Sequence, residues 1–316
     1  EILCSQYPSG MGIQKLNAGS MFDLDEDYIL VGNGAAELIN VLGKILKGRV
    51  SVGIPAFNEY IRCFKNCELR FMDNAQEEYG FSVNKIMDEI EETDNLMLIN
   101  PDNPSGAFLK VEEIINILDR CKEKGVVCII DESFIDFADA DLRYTLLDED
   151  ILDQYPQLVV IKSISKSYGV PGLRLGIMAT ANQEIKELML ENMAIWNINS
   201  FAEYYLQIQR LYKNSYILSC NKIANQRSIM MEQLEKINCL RVFPSQANYI
   251  MCEVKGEVSS SSLAADLLKN WNILIKDLST KKGFSGKSFI RIAVKNEEDN
   301  QLLLQAMQEI LEHKSR

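Results

Sequence analysis

Leu158-Val159-Val160-Ile161 runs through Lys162 into Ser163-Ile164-Ser165-Lys166-Ser167-Tyr168-Gly169-Val170-Pro171-Gly172-Leu173-Arg174-Leu175-Gly176. The opening run is short, apolar, rich in β-branched residues and closed by hydroxyls, which predicts a buried strand ending in a loop. Lys166 then falls just past the strand end. Gly169, Gly172 and Gly176 let the backbone turn with positive φ or approach another group closely, and Arg174 adds a second cation. Two hydroxyls and an arginine suit a phosphate, which leaves the lysine for other chemistry. A solvated lysine on a glycine-rich turn beside a structural arginine is the alternative on this stretch alone.

Outward from this loop the chain alternates predicted strands and helices. A strand over 27–31 meets Gly32-Asn33-Gly34-Ala35-Ala36-Glu37 and a helix over 38–46, a glycine turn whose helix N-terminus offers backbone N–H groups to an anion. A strand over 50–54 ends at Pro55-Ala56-Phe57-Asn58-Glu59-Tyr60, where an aromatic at the strand end suits the face of a flat ring. The strand over 96–100 enters Pro101-Asp102-Asn103-Pro104-Ser105-Gly106, a rigid turn that orients an amide. After a helix over 111–124, the apolar run 126–130 ends in Asp131-Glu132-Ser133-Phe134. A carboxylate at the end of a buried strand is expensive unless paired. Nearly all candidate groups lie just past strand C-termini, the crevice of an open, mainly parallel α/β sheet.

The remainder predicts a strand over 175–180, a polar helix over 13–17, and helices over 182–192 and 201–237, the last leaving the large domain. Strands over 249–254, 273–276 and 289–294, separated by helices, predict a smaller C-terminal α+β domain. The division is placed at 1–215 and 216–316. Arg291 alternates with Ile290 and Ile292 and so points away from their face.

A lysine beside a phosphate-binding set is what a pyridoxal phosphate enzyme requires, its amine forming a Schiff base with the cofactor aldehyde. The spacing Ser-x-Ser-Lys-x-x-Gly-x-x-Gly-x-Arg-x-Gly resembles the cofactor-lysine signature of the fold-type I aminotransferases, in the branch of histidinol-phosphate aminotransferase and threonine-phosphate decarboxylase. The resemblance covers almost the whole chain. It implies a three-layer large domain with a smaller C-terminal domain, pyridoxal 5'-phosphate as cofactor, and a homodimer. It further implies Lys166 as the catalytic lysine and Asp131 as partner of the pyridine nitrogen. Phe57 would stack on the ring, and Asn103 would bond its phenolic oxygen. Gly34, Ala35, Ala36, Ser163, Ser165 and Arg174 would hold the phosphate, and Tyr7 would reach that of the neighbouring subunit. Arg291 would grip the substrate α-carboxylate. Two departures stand out: Phe134 lacks the hydroxyl that many relatives carry there, and Lys276 replaces an arginine that binds substrate phosphate. They imply an anionic side chain on the substrate, held less selectively. The family's N-terminal arm lies upstream of Tyr7-Pro8, so the resemblance implies a truncated chain or a longer polypeptide.

Composition narrows the alternatives. The 316 residues carry a net charge of −12 and 47% hydrophobic content, ample for a core and unsuited to nucleic acid as main partner. No apolar run suits a membrane span, and a soluble, cytoplasmic protein is expected. Eight scattered cysteines without a CxxC pair and one histidine, His313, give a metal site few ligands. Amino transfer between an amino acid and a 2-oxo acid is the leading expectation. Decarboxylation is the rival within the same chemistry. A nucleotide-binding oxidoreductase on the Gly32–Glu37 turn is the rival of another class, because the turn is a near miss for the dinucleotide fingerprint G-x-G-x-x-G, departing from it at Glu37, where the third glycine should stand. A relic that only binds cofactor is the third.

Overall fold

The structure is a computed structural model and describes residues 2–284 and 286–313. Among these residues eleven strands form two sheets. The first contains β1 (Ile29–Asn33), β2 (Arg49–Ile54), β3 (Glu68–Asp73), β4 (Asn95–Ile99), β5 (Val127–Asp131), β6 (Leu158–Ser163) and β7 (Leu175–Ala179), in the order β1-β7-β6-β5-β4-β2-β3. β7 runs antiparallel to both its neighbours, and the other pairings are parallel. Residues 164–174 are too few for a crossover helix, so the chain doubles back at the lysine loop and reverses β7.

The apolar runs of β4, β6 and β7 are buried along their whole length because helices cover both faces of the sheet. Alternate residues serve the two layers. Leu96, Leu98, Cys128, Ile130 and Val160 meet Ile114, Ile117 and Cys121 of the helix Val111–Lys124 on one side. Met97, Ile129, Val159 and Ile161 meet Leu38, Ile39 and Leu42 of the helix Ala35–Ile45 on the other.

The second sheet is antiparallel: β8 (Leu240–Val242), β9 (Tyr249–Val254), β10 (Lys276–Asp277) and β11 (Phe289–Ala293), in the order β10-β11-β9-β8. Ile250, Cys252, Ile290 and Ile292 face a core closed by Met230, Leu234, Leu263, Leu267 and Met307 from the flanking helices. The opposite face carries Met251 and Phe289. It is joined to the first sheet by Tyr79, whose ring packs among Phe243, Phe284 and Phe289. Among the described residues no helix is long and apolar enough to cross a membrane.

Several boundaries differ from the sequence expectation. The helix expected over 201–237 is broken into Ser200–Ile208, a 3-10 turn Gln209–Tyr212 and Lys213–Leu234. The strand expected over 273–276 shrinks to β10, with Leu274 80% exposed. β1 starts two residues late because Glu26–Tyr28 form a 3-10 turn capped by Asp25. The helix expected over 13–17 extends through Met11–Phe22.

Candidate active site

The strand ends deliver their side chains into one open cavity of about 660 Å³, lined among others by Gly34, Ala35, Ala36, Phe57, Asn103, Asp131, Phe134, Ser163, Ser165, Lys166 and Arg174. The register explains the convergence: Ile99, Asp131 and Ile161 are aligned across β4, β5 and β6, so the segments that follow leave the sheet side by side.

At one end lies a cup suited to an anion. Gly34 precedes the helix Ala35–Ile45 with φ +73°, so the helix's free N–H groups open toward the loop. A Cβ on Gly34 would lie 2.9 Å from Arg174 Nη2, and one on Gly176 would lie 2.3 Å from the Ala35 nitrogen. Only glycine lets β7 and Arg174 close on this helix end. Ser163 and Ser165 are buried beside it, and the Ser163 N–H donates to Ser133 Oγ at 2.9 Å.

Asp131 is 5% exposed, and its carboxylate accepts from the Tyr60 hydroxyl at 2.8 Å and from the Ser133 N–H at 2.8 Å. Burial pushes its pKa up, while these two donors and the Lys166 ammonium pull it down. Lys166 lines the cavity and is exposed to solvent, yet partly desolvated by the protein around it. That desolvation, then repulsion from Arg291, lowers its pKa, and Arg174 adds to the lowering while Asp131 opposes it. The nearest aromatic is Phe134, whose ring centre is 5.8 Å from Lys166 Nζ and which packs edge-on to Tyr249.

Asn103 is buried and accepts from Arg291 Nη1 at 2.5 Å, so the second sheet reaches into the cavity of the first. The Arg291 guanidinium also lies over the Tyr249 ring, 4.8 Å from its centre. As expected from alternation, Arg291 leaves the Ile290–Ile292 core behind it. Lys276 is exposed and directly opposite Arg291 across β10 and β11. Tyr7 does not line this cavity. It is 78% exposed and stacks on Trp196 with ring centres 4.4 Å apart.

The residues fit pyridoxal phosphate. The Gly34–Arg174 cup leaves room for a phosphate that a side chain would fill, and the buried Asp131 carboxylate asks for a cationic N–H such as a pyridinium supplies. A lysine amine, a buried carboxylate and an anion cup lining one cavity suit an enzyme that bonds an aldehyde cofactor through lysine.

The chain belongs to the aminotransferase class I and II family, whose model matches residues 13–307, and pyridoxal 5'-phosphate is its cofactor. It is 33% identical over 316 residues to the L-serine phosphate decarboxylase of Sulfurospirillum multivorans, covering 97% of this chain and 80% of that protein. It is 30% identical over 289 residues to a histidinol-phosphate aminotransferase of Caldanaerobacter subterraneus, covering 90% and 78%. Among solved structures, a decarboxylase from Sulfurospirillum multivorans superposes with a TM-score of 0.88 at 30% identity, over 98% of this chain and 80% of that one.

The sequence reading missed Tyr60 and Ser133, the two donors to Asp131. Tyr60 carried a signal, since it lies three residues past Phe57 and so returns to the same side of the helix Asn58–Cys63.

Proposed function

We propose that the protein is a pyridoxal-phosphate-dependent decarboxylase of a phosphorylated amino acid of the O-phosphoserine type. The observation that carries this reading is the cross-strand pair Lys276 and Arg291, on the face of the second sheet from which Arg291 reaches the cavity residue Asn103. Like charges directly opposite each other in an antiparallel pair repel, so the pair favours a ligand bearing two anionic groups. The Sulfurospirillum relative, an L-serine phosphate decarboxylase, supports the same class.

When bound, pyridoxal phosphate supplies an aldehyde for Lys166 and a ring that accepts an electron pair from the substrate. Gly34, Ala35, Ala36, Ser163, Ser165 and Arg174 hold its phosphate, and Phe57 covers its ring. Asp131 holds the ring nitrogen's proton, braced by Tyr60 and Ser133. Asn103 serves the phenolic oxygen alone, because Phe134 has no hydroxyl to share the task. The planar fork of Arg291 orients the α-carboxylate. Lys166, as its ammonium, would return a proton to Cα once the carboxylate has left as carbon dioxide.

Amino transfer to a 2-oxo acid, which the sequence alone placed first, is the second reading. The lowered pKa of Lys166 favours it, since a larger neutral fraction suits a base that takes the Cα proton. The deciding experiment incubates the loaded enzyme with O-phospho-L-serine and 2-oxoglutarate. Carbon dioxide and O-phosphoethanolamine in equal amounts are expected, whereas amino transfer without carbon dioxide overturns the proposal. Borohydride followed by mass spectrometry checks the anchor: the label belongs on Lys166, and a label on another lysine removes that assignment.

A further inference from the structure

Lys281 lies in the turn between β10 and β11, and its Nζ crosses to the loop after β2. There it donates to the Ala56 carbonyl and, at 2.8 Å, to Asn58 Oδ1. These two residues flank Phe57, which walls the cavity. The same turn is seated firmly on that loop: a Cβ on Gly283, whose φ is +101°, would lie 2.8 Å from the Pro55 nitrogen. Lys281 is thus held on both sides of the cavity residue Phe57 and close enough to Arg291 for their charges to interact.

The charges around it do not balance. Arg291 and Lys276 both bear on Lys281 and disfavour its ammonium, while Asp102 favours it. The Asp102 carboxylate is already engaged by Ser105, through its N–H at 3.1 Å and its hydroxyl at 2.5 Å. Three cations therefore stand around the occupied Asp102 carboxylate, with Asp277 beside Lys276 as a further carboxylate that bears on them. An ammonium has three donors, and two of those on Lys281 are spent on neutral oxygens.

We propose that Lys281 is a specificity-determining residue that binds the distal anion of the substrate together with Lys276, leaving Arg291 to the α-carboxylate. The inference rests on the anionic substrate of the proposed function, and it holds whether carbon dioxide or the amino group leaves. Because Lys281 also fastens the small-sheet turn to the Phe57 loop, the anion and the wall over the cofactor ring share one anchor. A neutral amino acid of the same length lacks the group that satisfies the surplus charge, which gives the site its discrimination.

The pH dependence is set by the same neighbours. Burial, followed by Arg291 and Lys276, brings the Lys281 pKa down to about 8, against the pull of Asp102. Asp102 itself titrates at about 6, raised by burial, so it stays ionised through the window in question. A lysine with a lowered pKa is charged below that value and neutral above it, so affinity for the distal anion falls as pH rises past about 8. An arginine at this position stays charged throughout.

The test uses the loaded enzyme and the variants Lys281→Met, Lys281→Arg and, as a control for charge in the same turn, Lys282→Ala. Lys282 lies over the Phe71 ring at 3.4 Å from its centre, away from Ala56 and Asn58. Cofactor absorbance confirms that each variant folds and loads. In Lys281→Met the ratio of kcat/KM for O-phospho-L-serine over L-serine falls by about tenfold or more, through KM, and inhibition by inorganic phosphate weakens in parallel. Lys281→Arg keeps the ratio and extends it above pH 8, and Lys282→Ala leaves it in place. An unchanged ratio in Lys281→Met, or equal losses for both substrates, overturns the inference. Product analysis is separate: amino transfer with the ratio still falling would reject the proposed reaction and leave Lys281 in its role.

Discussion

Tyr60 is fully buried, and its hydroxyl ends on the Asp131 carboxylate, burial being the first cause that pushes its own pKa far up. It is therefore a fixed donor, and it is one of the groups that pull the Asp131 pKa down against the rise that burial causes. Tyr60→Phe removes that donor while preserving the packing against Phe57 and Phe64. The Asp131 pKa then rises further, so the carboxylate is lost at a higher pH on the acid side. A loss of turnover on the order of tenfold is expected, with the acid limb of the kcat/KM profile moved upward in pH. Asp131→Asn should lose about a hundredfold or more. An unshifted acid limb in Tyr60→Phe would show that the contact only packs the core. The contrast between these two residues also shows what the sequence disclosed. Asp131 was legible because strand, carboxylate and loop are contiguous in the chain. Tyr60 and Lys281 gain their meaning from partners at Asp131 and Asn58, far away in sequence and close only after the sheets assemble.

At the scale of elements, strand ends and the glycine turns were readable because each is governed by local rules. The continuous burial of β4, β6 and β7 was visible as apolar runs, and the cup at Gly34 as a glycine turn entering a helix. The break at Gln209–Tyr212 was not, since its residues suit a helix and nothing in them marks a stop. β10 failed for the opposite reason: Leu274 looks like a strand residue yet stands exposed outside the sheet. The Gly34 turn makes a prediction of its own. Gly34→Ala places a Cβ at φ +73° and 2.9 Å from Arg174 Nη2, so either the turn strains or the guanidinium leaves the cup. Affinity for pyridoxal phosphate should fall by about tenfold or more, while Gly172→Ala, with nothing within 4 Å, keeps it. Cofactor titration by absorbance checks both. Equal affinity in Gly34→Ala and the parent would remove this turn from the phosphate site.

The whole molecule holds its two sheets in a fixed relation. Arg227, 1% exposed on the helix Lys213–Leu234, binds Asp139 Oδ1 at 2.5 Å in the segment after β5, and Tyr79 enters the aromatic cluster of the second sheet. Several aromatic side chains are among the large apolar groups left exposed. Tyr7 stacks on Trp196, Ile195 is 78% exposed, and Phe201 and Tyr204 are about half exposed. The segment bearing Tyr7 is tied down: the Ser9 N–H donates to Glu203 Oε2 at 2.7 Å, and the Ser200 hydroxyl donates to the Gln6 carbonyl at 2.9 Å. Tyr7 is therefore presented outward, away from the cavity of its own chain. Scattered apolar side chains on a surface need no explanation, but an exposed, stacked Tyr7–Trp196 pair on a segment that is tied down suits an interface patch. We expect a homodimer in which this patch meets the second copy and brings Tyr7 toward its cofactor phosphate. The net charge of −12 opposes the pairing, so dimerisation should strengthen with salt up to a few hundred millimolar. Sedimentation velocity should give about twice 35.9 kDa. Tyr7→Asp combined with Trp196→Asp should give monomers with weakened cofactor binding. A parent protein that sediments as a single chain while fully loaded and active would refute both the interface and the role of Tyr7 in it.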